Sequence, residues 1–231
     1  MRRPPGTLLA VLLLLASAGA CFAAGAAGAP PSTAATAAAP FAALTVTPRG
    51  AQEYDISTGV TTLPDGGSII DEDTGVSLAA KQITYLDGSY IEARGASVSG
   101  AFGRLTAATL HIDVKTGVLT ASGDLSLARD ALTLKAGKLT YYATRRVADF
   151  SGTVTGTSPA FRADRLLLDA ISGNVLLLGD YRYAGAAFTL RAPEGGGRLE
   201  LTLHQVDGVP VYDAATDVSP GLLARFAAEL N

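Results

Sequence analysis

Tryptophan is absent from the 231 residues, cysteine and methionine occur once each, and histidine occurs twice. Each scarcity removes a class of function. A single cysteine, Cys21, permits no intrachain disulfide and no cysteine-based zinc site. His111 and His204 are too few for a histidine-rich metal centre. Charge is sparse as well: 17% of residues carry it, and 18 Lys and Arg against 21 Asp and Glu leave a formal net charge of −3. Nucleic-acid binders usually show a basic excess, so no nucleic-acid partner is expected. What is abundant is apolar or small. The chain is 48% hydrophobic with 26 glycines, enough for one packed domain with appendages and too apolar for a mostly disordered protein.

Chemistry-bearing motifs are equally thin. Gly95-Ala96-Ser97-Val98-Ser99 misses the second glycine of a nucleophile elbow. No phosphate loop or dinucleotide fingerprint stands at a strand-to-helix junction. Asp71-Glu72-Asp73 is the densest acidic cluster. Its carboxylates suit Ca²⁺ chemistry, but beside Gly75 the cluster reads as a solvated turn. A paired-carboxylate glycosidase needs only acids that meet in space, and parallel β-helix proteins of that class have repeats of similar length. Aromatics at 6% speak against it. No enzyme activity, cofactor or metal is expected.

The N-terminus reads as an address. Met1-Arg2-Arg3 is positive, Leu8 to Ala16 is apolar and too short to favour a membrane span, and small residues follow. An export signal over 1–23 is expected, with cleavage after Ala20 or Ala23. Cys21 follows Ala18-Gly19-Ala20 and is a candidate for acylation, hence a membrane tether. Residues 24–43 are nearly all Ala, Gly, Pro, Ser and Thr, the composition of a linker. The expected location is the periplasm or cell envelope.

From residue 44 to 212 the sequence repeats. Gly59, Gly88, Gly117, Arg146 and Gly173 follow one another at intervals of 29, 29, 29 and 27. A second glycine trails each: Gly67, Gly95, Gly123, Gly152 and Gly179. An apolar signature recurs as Leu78-x-Ala80-x-x-Ile83-x-Tyr85, Leu105-x-Ala107-x-x-Leu110-x-Ile112, Leu134-x-Ala136-x-x-Leu139-x-Tyr141 and Phe161-x-Ala163-x-x-Leu166-x-Leu168, and Phe188-x-Leu190-x-Ala192 begins a fifth copy. Alternation at two residues within each copy predicts strands with one apolar face. Asp-Gly pairs at Asp65, Asp87 and Asp207 mark turns. Such units cannot close a core alone and must stack, which predicts an elongated all-β body with an interior along its length. After it, 213–231 holds a short amphipathic helix opened by Ser219-Pro220, expected to cover an open end of the body.

The run Gly117-Val118 … Gly123-Asp124-Leu125 … Leu134-x-Ala136-x-x-Leu139-x-Tyr141, with Phe161-Arg162-Ala163-Asp164-Arg165-Leu166-Leu167-Leu168-Asp169, resembles the OstA-like repeat of the LptA and LptC type of periplasmic lipopolysaccharide-export proteins. The resemblance implies a slim β-jelly roll, or β-taco, whose groove shelters the acyl chains of a lipid or glycolipid amphiphile. It also implies partnership with other OstA-like envelope proteins through strand edges. On this reading the lipid-contacting positions are Ile83, Leu105, Leu110, Leu134, Leu139, Phe161, Leu166 and Phe188. The alternative is an exported structural or adhesion β-solenoid whose interior is closed and dry. It would use the same residues as plain core.

Overall fold

The computed structural model describes residues 44–73, 75–185 and 188–230. The leader, the linker and Cys21 lie outside the described residues.

The chain is all-β with two short helices at its end. Short strands come first: β1 (Leu44–Pro48), β2 (Glu53–Tyr54), β3 (Thr61–Leu63), β4 (Gly67–Asp71), β5 (Val76–Ala80) and β6 (Gln82–Leu86). Six long strands follow: β7 (Tyr90–Gly100), β8 (Gly103–Asp113), β9 (Val118–Arg129), β10 (Leu132–Tyr142), β11 (Val147–Ser158) and β12 (Ala160–Asp169). Then come β13 (Val175–Gly179), β14 (Arg182–Ala184), β15 (Thr189–Arg191), β16 (Gly197–Val206), β17 (Val209–Ala215), and helices α1 (Pro220–Arg225) and α2 (Ala227–Leu230). The long strands form an antiparallel meander, each paired with the next. One repeat of the sequence is one hairpin of this meander.

The repeat glycines are its corners. Gly59, Gly88, Gly117 and Gly173 have φ of 74°, 61°, 66° and 81°, and Arg146 takes the same left-handed conformation at 53°. Three of these corners share one device. The amide of Gly59, Gly117 or Gly173 donates to the carbonyl of Asp55, Asp113 or Asp169 at 2.8–2.9 Å. The same aspartate's carboxylate accepts from a residue inside the turn: Ser57, Thr116 or Ile171. This is the Asx turn that makes aspartate a turn former. The three hydrogen bonds from Ser57 and Thr58 hold the Asp55 carboxyl at a pKa of about 2.

Each long strand also changes phase in its middle. In β7, Ile91 and Ala93 are buried, Arg94 and Gly95 are exposed, and Ala96 and Val98 are buried again. Comparable slips occur between Thr106 and Thr109, Ala136 and Lys138, and Ser151 and Val154, with Gly95, Gly123 and Gly152 at positive φ. A bulge bends a strand and lets both halves keep one face inward. The meander therefore folds into two layers. Phe102, at the β7–β8 turn, meets Tyr141 in a tilted contact with ring centroids 4.8 Å apart. Phe102 belongs with the Leu134 end of β10, and Tyr141 lies seven residues further along, about 23 Å away on a straight strand. Arg129 Nη1 likewise donates to the Asp169 carbonyl at 3.4 Å, although these residues end opposite halves of the sheet.

At both ends of the meander the two layers separate into distinct strands. The first half of β7 pairs with β6, and its second half with β5. Similarly, β12 gives one half to β13 and the other to β14. Among the described residues, β1, β2, β15 and β17 pair with one strand each.

The C-terminal helices sit elsewhere than expected. They do not cover an end. Leu222 and Phe226 pack with Val147, Leu167 and Leu176 on the outer face of β11, β12 and β13. That face is apolar because Leu166-Leu167-Leu168 and Val175-Leu176-Leu177 break the alternation and offer side chains to both sides, the pattern of a strand covered on two faces. Ser219 caps α1, its side chain accepting from the Leu222 amide, while its own amide donates to Glu200 Oε2 at 2.7 Å. β17 runs to Ala215, three residues past the boundary read from the repeat.

Candidate functional site

Two of the rows of side chains that fill the interior run one along each layer. Register places Leu63, Ile83, Ala93, Leu110, Ala121, Leu139, Phe150, Leu166, Leu177 and Leu199 at successive cross-strand positions. The second row runs through Ile69, Leu78, Val98, Leu105, Leu127, Leu134, Gly156, Phe161, Tyr183 and Leu190. Directly opposed apolar pairs of this kind are the unit of sheet stabilisation. Ile83, Leu110, Leu139 and Leu166 thus share the first row, and Leu105, Leu134 and Phe161 share the second.

All seven are buried, the most exposed being Phe161 at 6%. Phe161 fits because its neighbour is Gly156. A Cβ there would lie 2.1 Å from the ring, so any side chain would collide. Phe188 stands apart. It is half exposed, and its ring meets Tyr183 at a centroid distance of 6.1 Å. A gap at the β4–β5 end of the interior, lined by residues such as Ile69, Leu78 and Ile112, measures only about 10 Å³. That is about the minimum for one water and far below a ligand pocket. The layers are in contact as the structure stands.

What holds them together decides what the interior can do. Along the bend the backbone is continuous. Across the opposite side, where strand ends from the two layers meet, the contacts named above are made by side chains: Phe102 on Tyr141, and Arg129 on a carbonyl. Within one layer, the Tyr212 hydroxyl donates to the Gly173 carbonyl at 3.0 Å. Burial pushes the Tyr212 phenol to a pKa of about 12, so it stays a donor. Among the described residues, no ladder of backbone hydrogen bonds joins these strand ends. The described seam contacts are thus made by side chains.

Polar groups gather outside. A hollow of about 410 Å³ on the outer face of β6–β10 is lined by Arg94, Lys138, Glu92, His111 and several hydroxyls. His111 Nδ1 faces Glu92 Oε1 at 3.6 Å, and His204 Nδ1 faces Asp213 Oδ2 at 3.4 Å. Asp71, of the acidic cluster, is buried, and its Oδ1 accepts from the Asp73 amide at 3.1 Å. Among the described residues, no three His, Cys, Asp or Glu side chains converge as metal ligands.

The sequence pattern found the repeat leucines but not their small and large partners. In the first row Ala93, Ala121, Phe150, Leu177 and Leu199 stand between or beyond the repeat residues, and pairing places them there. The one signal within reach was Phe150, which follows the corner residue Arg146 by the same four positions that separate Gly117 from Ala121.

No family model matches the chain, and no curated protein matches it. Among solved structures it is similar to LptH, the LptA homologous periplasmic component of the conserved lipopolysaccharide transport device from Pseudomonas aeruginosa. The two are 18% identical, the match covers 51% of this chain and 80% of that one, and the TM-score is 0.25. A likeness at that score carries no argument for the function of this chain.

Proposed function

We propose that the protein is a non-enzymatic envelope component that shelters the acyl chains of an amphiphile between its two β layers, entering by the seam. The observation that carries the reading is the pair of apolar rows, one per layer, that run along the meander, with side-chain contacts across the strand ends opposite the bend. Burying an acyl chain contributes about 0.8 kcal/mol per CH₂, which needs a continuous apolar lining and no catalytic group. Ile83, Leu105, Leu110, Leu134, Leu139, Phe161 and Leu166 would line the acyl path, with Phe188 at its mouth. The OstA-like character of the repeat supports a glycolipid such as lipopolysaccharide as the amphiphile. It also supports other OstA-like proteins as partners at the single-partner strands β1, β2, β15 and β17.

The second reading, a dry structural or adhesion module, is favoured by the tight packing of those rows. Placing a charge at Leu139 or Leu166 does not separate the two, since both side chains are 0% exposed and an unpaired charge there unfolds either protein. A lock on the seam does. Phe102→Cys with Tyr141→Cys, in a Cys21→Ser background and joined by a short bis-maleimide, should melt no lower than the same double variant before cross-linking. It should also abolish uptake of a fluorescent acyl probe that the unlocked protein takes up. No uptake by the unlocked protein, or equal uptake by the locked one, sinks the carrier reading.

A further inference from the structure

Cations in this acidic protein are unevenly placed. Register puts Arg162 of β12 opposite Arg182 of β14, and Arg182 opposite Arg191 of β15. Residues directly opposed on antiparallel strands share a face, and neighbouring strands lie about 4.8 Å apart, so the three guanidinium stems leave one face within about 10 Å. The same row continues through Thr155 to Lys135. All four cations are exposed, and none has an ion-pair partner among the described residues. The acid nearest along β12, Asp164, accepts the Asp180 amide at 2.7 Å. Like charges placed directly opposite destabilise a sheet. The strands bearing them bring little core in return: of β14 and β15, Tyr183 is buried and Leu190 only partly so. A row that costs stability and stays unpaired fits an outside anion.

We infer that the β14–β15 hairpin and the adjoining edge of β12 form a docking surface for an anionic phospholipid bilayer. Two features favour a bilayer over a small anion. The cations form an open row on a sheet face and do not converge on a point. The leader read from the sequence directs the chain to an envelope, where headgroup phosphates are the nearest extended polyanion. Guanidinium groups pair with phosphate in bidentate fashion and are only weakly hydrated, which suits them to that surface.

The test is vesicle flotation of the full chain bearing Cys21→Ser, so that no acyl anchor contributes. Vesicles of phosphatidylcholine with roughly a third phosphatidylglycerol should carry the protein up at low salt and release it at high salt, and pure phosphatidylcholine should not. Arg162→Gln, Arg182→Gln and Arg191→Gln together should lower partitioning about a hundred-fold. The corresponding three Arg→Lys changes should restore most of it, with folding unchanged by circular dichroism in both variants. Equal binding to neutral vesicles, or an unchanged Gln variant, overturns the inference. So does protein that binds soluble polyphosphate but no vesicle, which would assign the row to a free anion.

Discussion

A left-handed corner every 27–29 residues sets the geometry, and each corner tolerates a side chain according to what surrounds it. Gly173, at φ 81°, would place a Cβ 2.5 Å from Leu203 Cδ2, while Gly88, at φ 61°, has nothing within 4 Å. Gly88→Ala should therefore cost only the backbone strain, about 1 kcal/mol, and Gly173→Ala about 2–3 kcal/mol once Leu203 must move. Thermal melts of the two variants check the order; equal losses would mean that Leu203 yields freely. This residue-scale periodicity was legible because glycine is the usual answer to a positive φ, so the spacing of one letter traced the corners. Arg146 could be placed only by its interval. The mid-strand kinks were legible at Gly95, Gly123 and Gly152. At the first of the second glycines the left-handed residue is Gly66, and the expected Gly67 is not.

Among elements, the C-terminal helices show how far amphipathicity informs. Leu222 and Phe226 on one face foretold docking but not the docking partner. The partner was written in β12 and β13, where three and four consecutive apolar residues cannot all face one interior. Phe226 is fully buried in that contact, so Phe226→Ala should cost about 3–5 kcal/mol in a denaturant titration. A loss under 1 kcal/mol would mean the helices are ornamental. Ionic contacts fasten the same elements. Arg165 forks onto Asp149 at 2.8 and 2.9 Å and reaches the Glu229 carbonyl. Arg145 Nη2 lies 2.6 Å from Glu229 Oε1. Arg225 Nη2 donates to Asp169 Oδ1 at 2.9 Å and also reaches the Arg145 carbonyl. Burial works to raise the Asp169 carboxyl, but the hydrogen bonds from Arg225, the Ile171 amide and Ser172 outweigh it and leave its pKa below the usual carboxylate value. A carboxylate depressed by folding stabilises the fold above its unfolded pKa and loses that contribution as the pH falls through the folded one. The melting temperature should thus drop as the pH falls below about 4, and Asp169→Asn should lose less over that interval than the parent.

At the scale of the whole molecule, the sequence told which residues face inward but not that one continuous sheet supplies both walls. Seven of the eight chosen positions occupy the two rows. Phe188 does not, because the fifth copy is cut short by the β14–β15 hairpin and never forms a long strand. A period of two is blind to a bend, since each half-strand looks the same on either side of a bulge. The seam that follows from the bend also bears on how the chain acquires its structure. Phe102 meets Tyr141 and Arg129 meets Asp169 across 39 and 40 positions of sequence, and every long strand pairs with its immediate successor. Little loop entropy stands between one hairpin and the next, so contact order is low for a β protein and assembly can propagate as a zipper from either end. A chain delivered across a membrane as a thread would build its walls hairpin by hairpin in the order of emergence, with the terminal helices fastening last onto strands already in place.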